Sequence, residues 1–117
     1  MQYMLLIYEI VAHLGKMSEQ ESGAMFAEYM KFTDDIRKSG RFLAGAPLQP
    51  TPTATTVRVR DGKRLTTDGP FAETKEQLGG YYLVDAQALD AAMALAARIP
   101  SARLGSIEVR PVMAMNG

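Results

Sequence analysis

Asp68, Glu73, Lys75 and Tyr81 fall in one short stretch of the chain, and their types and spacing could do chemistry. A carboxylate at the rim of a pocket can take up or return a proton if partial burial raises its pKa toward neutrality, which makes Asp68 the candidate catalytic group. On an extended backbone Glu73 and Lys75 share a face, where opposite charges could grip and polarise a small carbonyl or carboxylate compound. The Tyr81 hydroxyl could donate a hydrogen bond to the same ligand. His13 is the only histidine, and its type alone has an ordinary pKa near neutrality, so it joins Glu73, Lys75 and Tyr81 as a candidate ligand contact. Each group also has a plainer reading: Asp68 as a turn residue, Glu73 and Lys75 as a solvated ion pair, Tyr81 as core and His13 as an exposed loop residue. A lone histidine without carboxylates spaced around it, in a chain with no cysteine, predicts no bound metal, and no cofactor is expected.

The elements that must position these groups follow from pattern. Asp68-Gly69-Pro70-Phe71 reads as a tight turn in which proline presets φ, glycine permits unusual angles and Phe71 anchors the loop by burial. Gly80 to Val84 reads as a strand. The Gly79-Gly80 pair before it marks a bulge or a close approach, since no glycine-spaced lysine follows as in a phosphate loop. At the start of the chain, Met1 to Tyr8 is a strand with two apolar rows, Tyr3, Leu5, Ile7 and Met4, Leu6, Tyr8. Such a strand is expected to be central and covered on both faces.

Glu9 to Met17 is read as a loop. Ser18 and Glu21 then form a capping box that opens a helix with apolar rows Met25, Tyr29, Phe32, Ile36 and Phe26, Met30, Thr33, ended by Ser39-Gly40. Arg41 to Leu48 reads as an edge strand, because Pro47, Pro50 and Pro52 bar a central ladder. Thr55 to Arg60 and Lys63 to Thr67 flank Asp61-Gly62 as a hairpin with one wet face. A second helix is expected from about Ala86 to Arg98, with Asp85 as its cap, Leu89, Met93 and Ala96 as its buried row, and Pro100 as its stop. Ser106 to Val112 is the last strand, and Met113 to Gly117 a tail.

Removing the hairpin leaves βαββαβ, the ferredoxin-like α+β arrangement with both helices on one face of an antiparallel sheet. The other face would be bare, yet the first strand is apolar on both sides, so the pattern predicts a homodimer built face to face. With 117 residues the chain is the size of one domain. Thirteen basic residues balance thirteen acidic ones, so no net field draws nucleic acid or anionic lipid. No apolar run approaches the roughly 20 residues of a membrane span, and no basic leader with a cleavage site precedes the first strand, so a soluble cytoplasmic protein is the expectation.

From Asp68-Gly69-Pro70-Phe71 through Ala72-Glu73-Thr74-Lys75-Glu76-Gln77-Leu78-Gly79-Gly80-Tyr81-Tyr82, the sequence resembles the DGPF group of the YCII-related proteins. The likeness extends to Tyr3-Met4-Leu5-Leu6-Ile7-Tyr8, to Ala54-Thr55-Thr56-Val57-Arg58, and to Ala97-Arg98-Ile99-Pro100 with Ile107-Glu108-Val109-Arg110-Pro111, nearly the whole chain. The resemblance implies a dimeric α+β barrel and a link of many members to extracytoplasmic-function sigma factors. A related YCII branch includes a dehydrochlorinase of chlorinated muconate and is associated with a histidine and aspartate pair. The first helix, where that branch carries its histidine, reads Ala24-Met25-Phe26-Ala27-Glu28-Tyr29-Met30-Lys31 here and has none. Acidic and tyrosine groups are what remain to move protons.

Two functions compete at this point. One is a site for a small polar or carbonyl-containing metabolite in a cleft beside the Asp-Gly-Pro-Phe loop, with acid/base chemistry open to Asp68. The other is a non-enzymatic accessory protein acting with a sigma factor through an exposed apolar patch.

Overall fold

Strict alternation along the first strand, β1 (Gln2–Ile10), turns Tyr3, Leu5 and Ile7 to one side, where each is at most 5% exposed. The computed structural model describes residues 1–13 and 15–115. After β1 come α1 (Glu19–Lys38), β2 (Phe42–Pro47), β3 (Thr55–Arg60), β4 (Lys63–Asp68), β5 (Glu76–Asp85), α2 (Leu89–Arg98) and β6 (Ser106–Pro111). β1 pairs antiparallel with β5 on one side and β6 on the other, and β5 pairs antiparallel with β2, giving the order β2-β5-β1-β6. That is the expected ferredoxin-like α+β sheet, with β2 at an edge. Both helices lie on the side to which Leu5, Tyr82 and Val84 point, and Phe32, Ile36, Ala92, Leu95 and Ile99 close the core against them.

Local signals account for most boundaries. The Ser18 hydroxyl accepts from the Glu21 amide at 3.1 Å while the Glu21 carboxylate accepts from the Ser18 amide at 3.2 Å, the reciprocal capping box that starts α1. Gly40 follows α1 at φ +76°, the left-handed position that ends helices. Asp61 and Gly62 both have positive φ, as a two-residue turn between β3 and β4 requires.

Four expectations are corrected. β1 runs two residues further than its apolar pattern, so Glu9 and Ile10 are strand, and a 3₁₀ turn at Val11–His13 replaces part of the expected loop. α2 begins at Leu89, behind Ala88, with no side-chain cap. Asp85 is instead the last residue of β5, where its carboxylate meets the N-terminal ammonium at 3.1 Å. The buried row of α2 is Ala92, Leu95 and Ala96, while Leu89 and Met93 are about half exposed; both rows are apolar, and the one with more alanine lets the helix approach the sheet. Phe71, expected as a buried anchor, is 78% exposed.

The β3–β4 hairpin forms its own two-stranded ladder, separate from the main sheet, and every residue of β4 is exposed. It gives the molecule extents of 47 × 46 × 19 Å and a radius of gyration of 16.2 Å, against roughly 13 Å for a compact chain of this order of length. On the sheet face turned away from the helices, Met4, Leu6, Tyr8, Tyr81 and Leu83 are only partly covered within the chain. No helix among the described residues is long and apolar enough to cross a membrane.

Candidate functional site

The first apolar row of α1 packs on the sheet through Phe32 and Ile36, but the second row faces open space: Phe26 and Met30 are 66% and 57% exposed. That row, extended by Thr33 and Arg37, forms one wall of a cavity of about 370 Å³. Ile7 and Glu9 of β1, Gly45 to Pro47 of β2 and Gly79 to Tyr82 of β5 form the rest. A second cavity of about 350 Å³ lies beyond, bordered by His13, Lys16, Glu21, Met25, Ser101 and Gly105 among others. Glu9 and Tyr29 border both cavities and so stand at their junction.

Three polar groups converge here. The Tyr82 hydroxyl is hydrogen-bonded to the Thr33 hydroxyl at 2.7 Å, and the Tyr29 hydroxyl to the Ser101 hydroxyl at 2.5 Å. Burial pushes the pKa of Tyr29 up, opposed by its bonds to Ser101 and reinforced by the Tyr82 hydroxyl and the Glu9 carboxylate. Burial likewise raises that of Tyr82, opposed by the Thr33 hydrogen bond and the Arg37 charge. Both are therefore neutral hydroxyls at neutral pH, able to donate to or accept from a ligand but not to act as bases. The third group is Glu9. Its carboxylate makes no ion pair or side-chain hydrogen bond among the described residues.

A glycine makes room for that carboxylate. The β1–β5 register shifts between Ile7, opposite Gly80, and Tyr8, opposite Leu78, leaving Gly79 as the extra residue of a bulge. A Cβ on Gly79 would lie 2.6 Å from the Glu9 carboxyl group. Gly79→Ala is thus expected to swing the Glu9 head away, weakening any ligand held by it while leaving thermal stability nearly unchanged, because a flexible side-chain tip yields more cheaply than backbone. Comparing Tm with ligand affinity for this variant checks both halves.

The raised tyrosine pKa values set a second expectation. Below the ordinary value of 10.0 both hydroxyls are protonated in folded and unfolded chain alike, and their contribution is fully present. As pH rises past 10.0 the unfolded tyrosines ionise first, and stability falls until the folded ones ionise too. Thermal unfolding across the alkaline range should show this decline, and Tyr29→Phe should make it shallower.

The residues singled out from the sequence divide between cavity and surface. His13 borders the second cavity, and Tyr81 lies along the first without turning its side chain into it. Alternation along β5 turns the Tyr82 side chain toward the helices and that of Tyr81 to the opposite face. Asp68, Glu73 and Lys75 are exposed and border neither cavity. Asp68 ends β4 opposite Thr55, and the Lys75 carbonyl accepts from the Val11 amide at 2.9 Å. Gln77 ties this loop together, its amide donating to the Ala72 carbonyl at 2.8 Å and to the Thr74 hydroxyl at 2.9 Å.

Glu9, Tyr29 and Arg37 escaped the sequence reading, which of the adjacent pair Tyr81-Tyr82 named Tyr81. The available signals were a carboxylate directly after an apolar strand, hydroxyl residues within the apolar rows of α1, and the glycine pair that foretold a close approach. Among the described residues no group of three or more histidine or acidic side chains is placed to hold a metal ion.

Fold and cleft together define a ferredoxin-like α+β chain, with a ligand-sized space between its first helix and its sheet. The chain belongs to the YCII-related domain family, whose model matches residues 1–116. It is 36% identical over 114 residues to an uncharacterized protein of Rhizobium meliloti (strain 1021), covering 96% of this chain and 92% of that relative. Among solved structures it is similar to the 5-chloro-2-hydroxyhydroquinone dehydrochlorinase of Burkholderia phenoliruptrix AC1100, in complex with 2,5-dihydroxybenzoquinone. That match has a TM-score of 0.57 and 13% identity over 97% of this chain and 94% of the other, a likeness of fold.

Proposed function

We propose that the chain binds a small organic molecule bearing a carbonyl or other polar group in the cleft between α1 and the sheet. The observation that carries this is the convergence of the Tyr29 and Tyr82 hydroxyls and the Glu9 carboxylate on a cavity of about 370 Å³. Small-molecule sites occupy roughly 300 to 1,000 Å³ and pair an apolar lining with a few placed polar groups. The dehydrochlorinase of the same fold, solved with a small ring compound, supports the same reading at the level of the fold. Neutral tyrosine hydroxyls suit a carbonyl oxygen, and Glu9 suits a ligand hydroxyl or serves as proton acceptor.

A cleft-filling variant tests this. Met30 is largely exposed at the cavity mouth, so Met30→Trp should block the cleft without disturbing the core. Small carbonyl and phenolic compounds that raise the Tm of the native chain should fail to do so for Met30→Trp. Equal stabilisation of both proteins, or none of either, would contradict the proposal.

The hairpin favours a protein contact as well. Val57, Val59 and Leu65 are each at least half exposed, and a two-stranded hairpin standing alone is marginal in water. We infer that a second copy covers the open sheet face and this arm. Asp68, Glu73 and Lys75 join the cleft only if that copy brings them to it. A sigma factor is the competing occupant, and purified-pair binding distinguishes it from self-association.

A further inference from the structure

Resting on the cleft reading above, we propose that the ligand is an organic acid with a flat apolar body, its anionic group on Arg37 and a hydroxyl at its far end donating to Glu9. The cleft carries Arg37 toward one end and Glu9 toward the other, and neither has an ion-pair partner among the described residues. Along α1 the nearby carboxylates are engaged elsewhere: Asp34 holds Lys38 at 2.9 Å, Asp35 holds Arg98 at 3.4 Å and Glu28 holds Arg103 at 2.9 Å. Arg37 has no carboxylate within reach among the described residues. Its guanidinium instead lies over the Phe42 ring, 4.6 Å from the centroid, and its N–H donors make no side-chain hydrogen bond among the described residues. It is close enough to the Tyr82 hydroxyl to work against the effect of burial there.

At the other end the Glu9 carboxylate stands beside Tyr29 in the space left by Gly79. Tyr29 and Arg37 are about 12 Å apart along the helix at a rise of roughly 1.5 Å per residue. A separation of that order along the helix leaves room for a single substituted ring between the two ends of the cleft. Phe26, Met30 and Ile7 supply apolar contact between the two. A carboxylate at Arg37 gains a planar, charge-assisted pairing that an ester lacks. Two acidic ends would be repelled by Glu9, and two basic ends by Arg37, so the charges also set the ligand's direction.

Calorimetric titration of the intact chain with para-hydroxyphenylacetate, its methyl ester and para-cresol tests the assignment. The acid should bind about tenfold more tightly than the ester, the usual margin of a charge-assisted hydrogen bond. Arg37→Gln should remove that margin and leave the ester unaffected, while Glu9→Gln should weaken acid and ester alike. Both side chains lie outside the buried core, so the variants are expected to fold. An acid no tighter than its ester, or a preference that survives Arg37→Gln, would overturn the inference. In that case para-cresol binding that is lost in Met30→Trp would still uphold the cleft itself. Failure of all three compounds to bind would overturn both.

Discussion

Leu5→Ala is expected to destabilise the fold by about 2 to 5 kcal/mol, the range for truncating a fully buried leucine. Leu5 is 0% exposed in a central strand, opposite Tyr82 of β5 and Val109 of β6, with both helices packed over this side of the sheet. Its neighbours are held by two ladders, so the strand cannot collapse into the void, and the cavity term adds to the lost transfer energy. Urea unfolding at several protein concentrations measures it, and the loss should be present in the isolated chain as much as in any assembly. A cost below about 1 kcal/mol would mean that the helix-side core is not packed as described.

One residue later the expectation changes in kind. Leu6 points to the open face, opposite Tyr81 and Glu108, and is only partly covered by its own chain. If a second copy closes over this face, Leu6→Lys places an unpaired charge inside the interface. The dimer should then weaken by about 3 kcal/mol or more, on the order of a hundredfold in its dissociation constant. Sedimentation or light scattering should show native dimers and a variant that dissociates to monomers while its circular dichroism stays native. A native chain that stays monomeric throughout the micromolar range would remove the proposed cover. Adjacent leucines with separable phenotypes, one in folding and one in assembly, follow from the period-2 alternation of β1.

The sequence was most legible where short-range chemistry decides structure. Ser18 and Glu21, Gly40, and Asp61-Gly62 each perform the capping or turning role their types announce. The central place of β1 followed from its two apolar rows, and the edge place of β2 from Pro47 at its end and Pro50 and Pro52 beyond it. Phase was harder: α2 carries two apolar rows, and only contact with the sheet chooses Ala92, Leu95 and Ala96 over Leu89 and Met93. The cleft was least legible because its parts are distant in the chain. Glu9, Tyr29, Arg37 and Tyr82 meet through the β1–β5 register and the docking of α1, which no local pattern encodes. Asp68, Glu73 and Lys75 show the converse, since proximity along the chain produced a surface loop and not a cluster around a cavity in the single chain. Gly79 is the residue where the two levels touch: the expected bulge is there, and its missing side chain is what admits the Glu9 carboxylate.

Backbone amide shift mapping during titration with a small carbonyl or phenolic compound tests the cleft most directly. Ligand in the cleft should move the amides of Gly79, Gly80, Tyr82, Tyr29 and Thr33 together, on one binding curve, with residues of the β3–β4 hairpin unaffected. Shifts confined to the loop from Asp68 to Lys75, or scattered with no saturation, would contradict it.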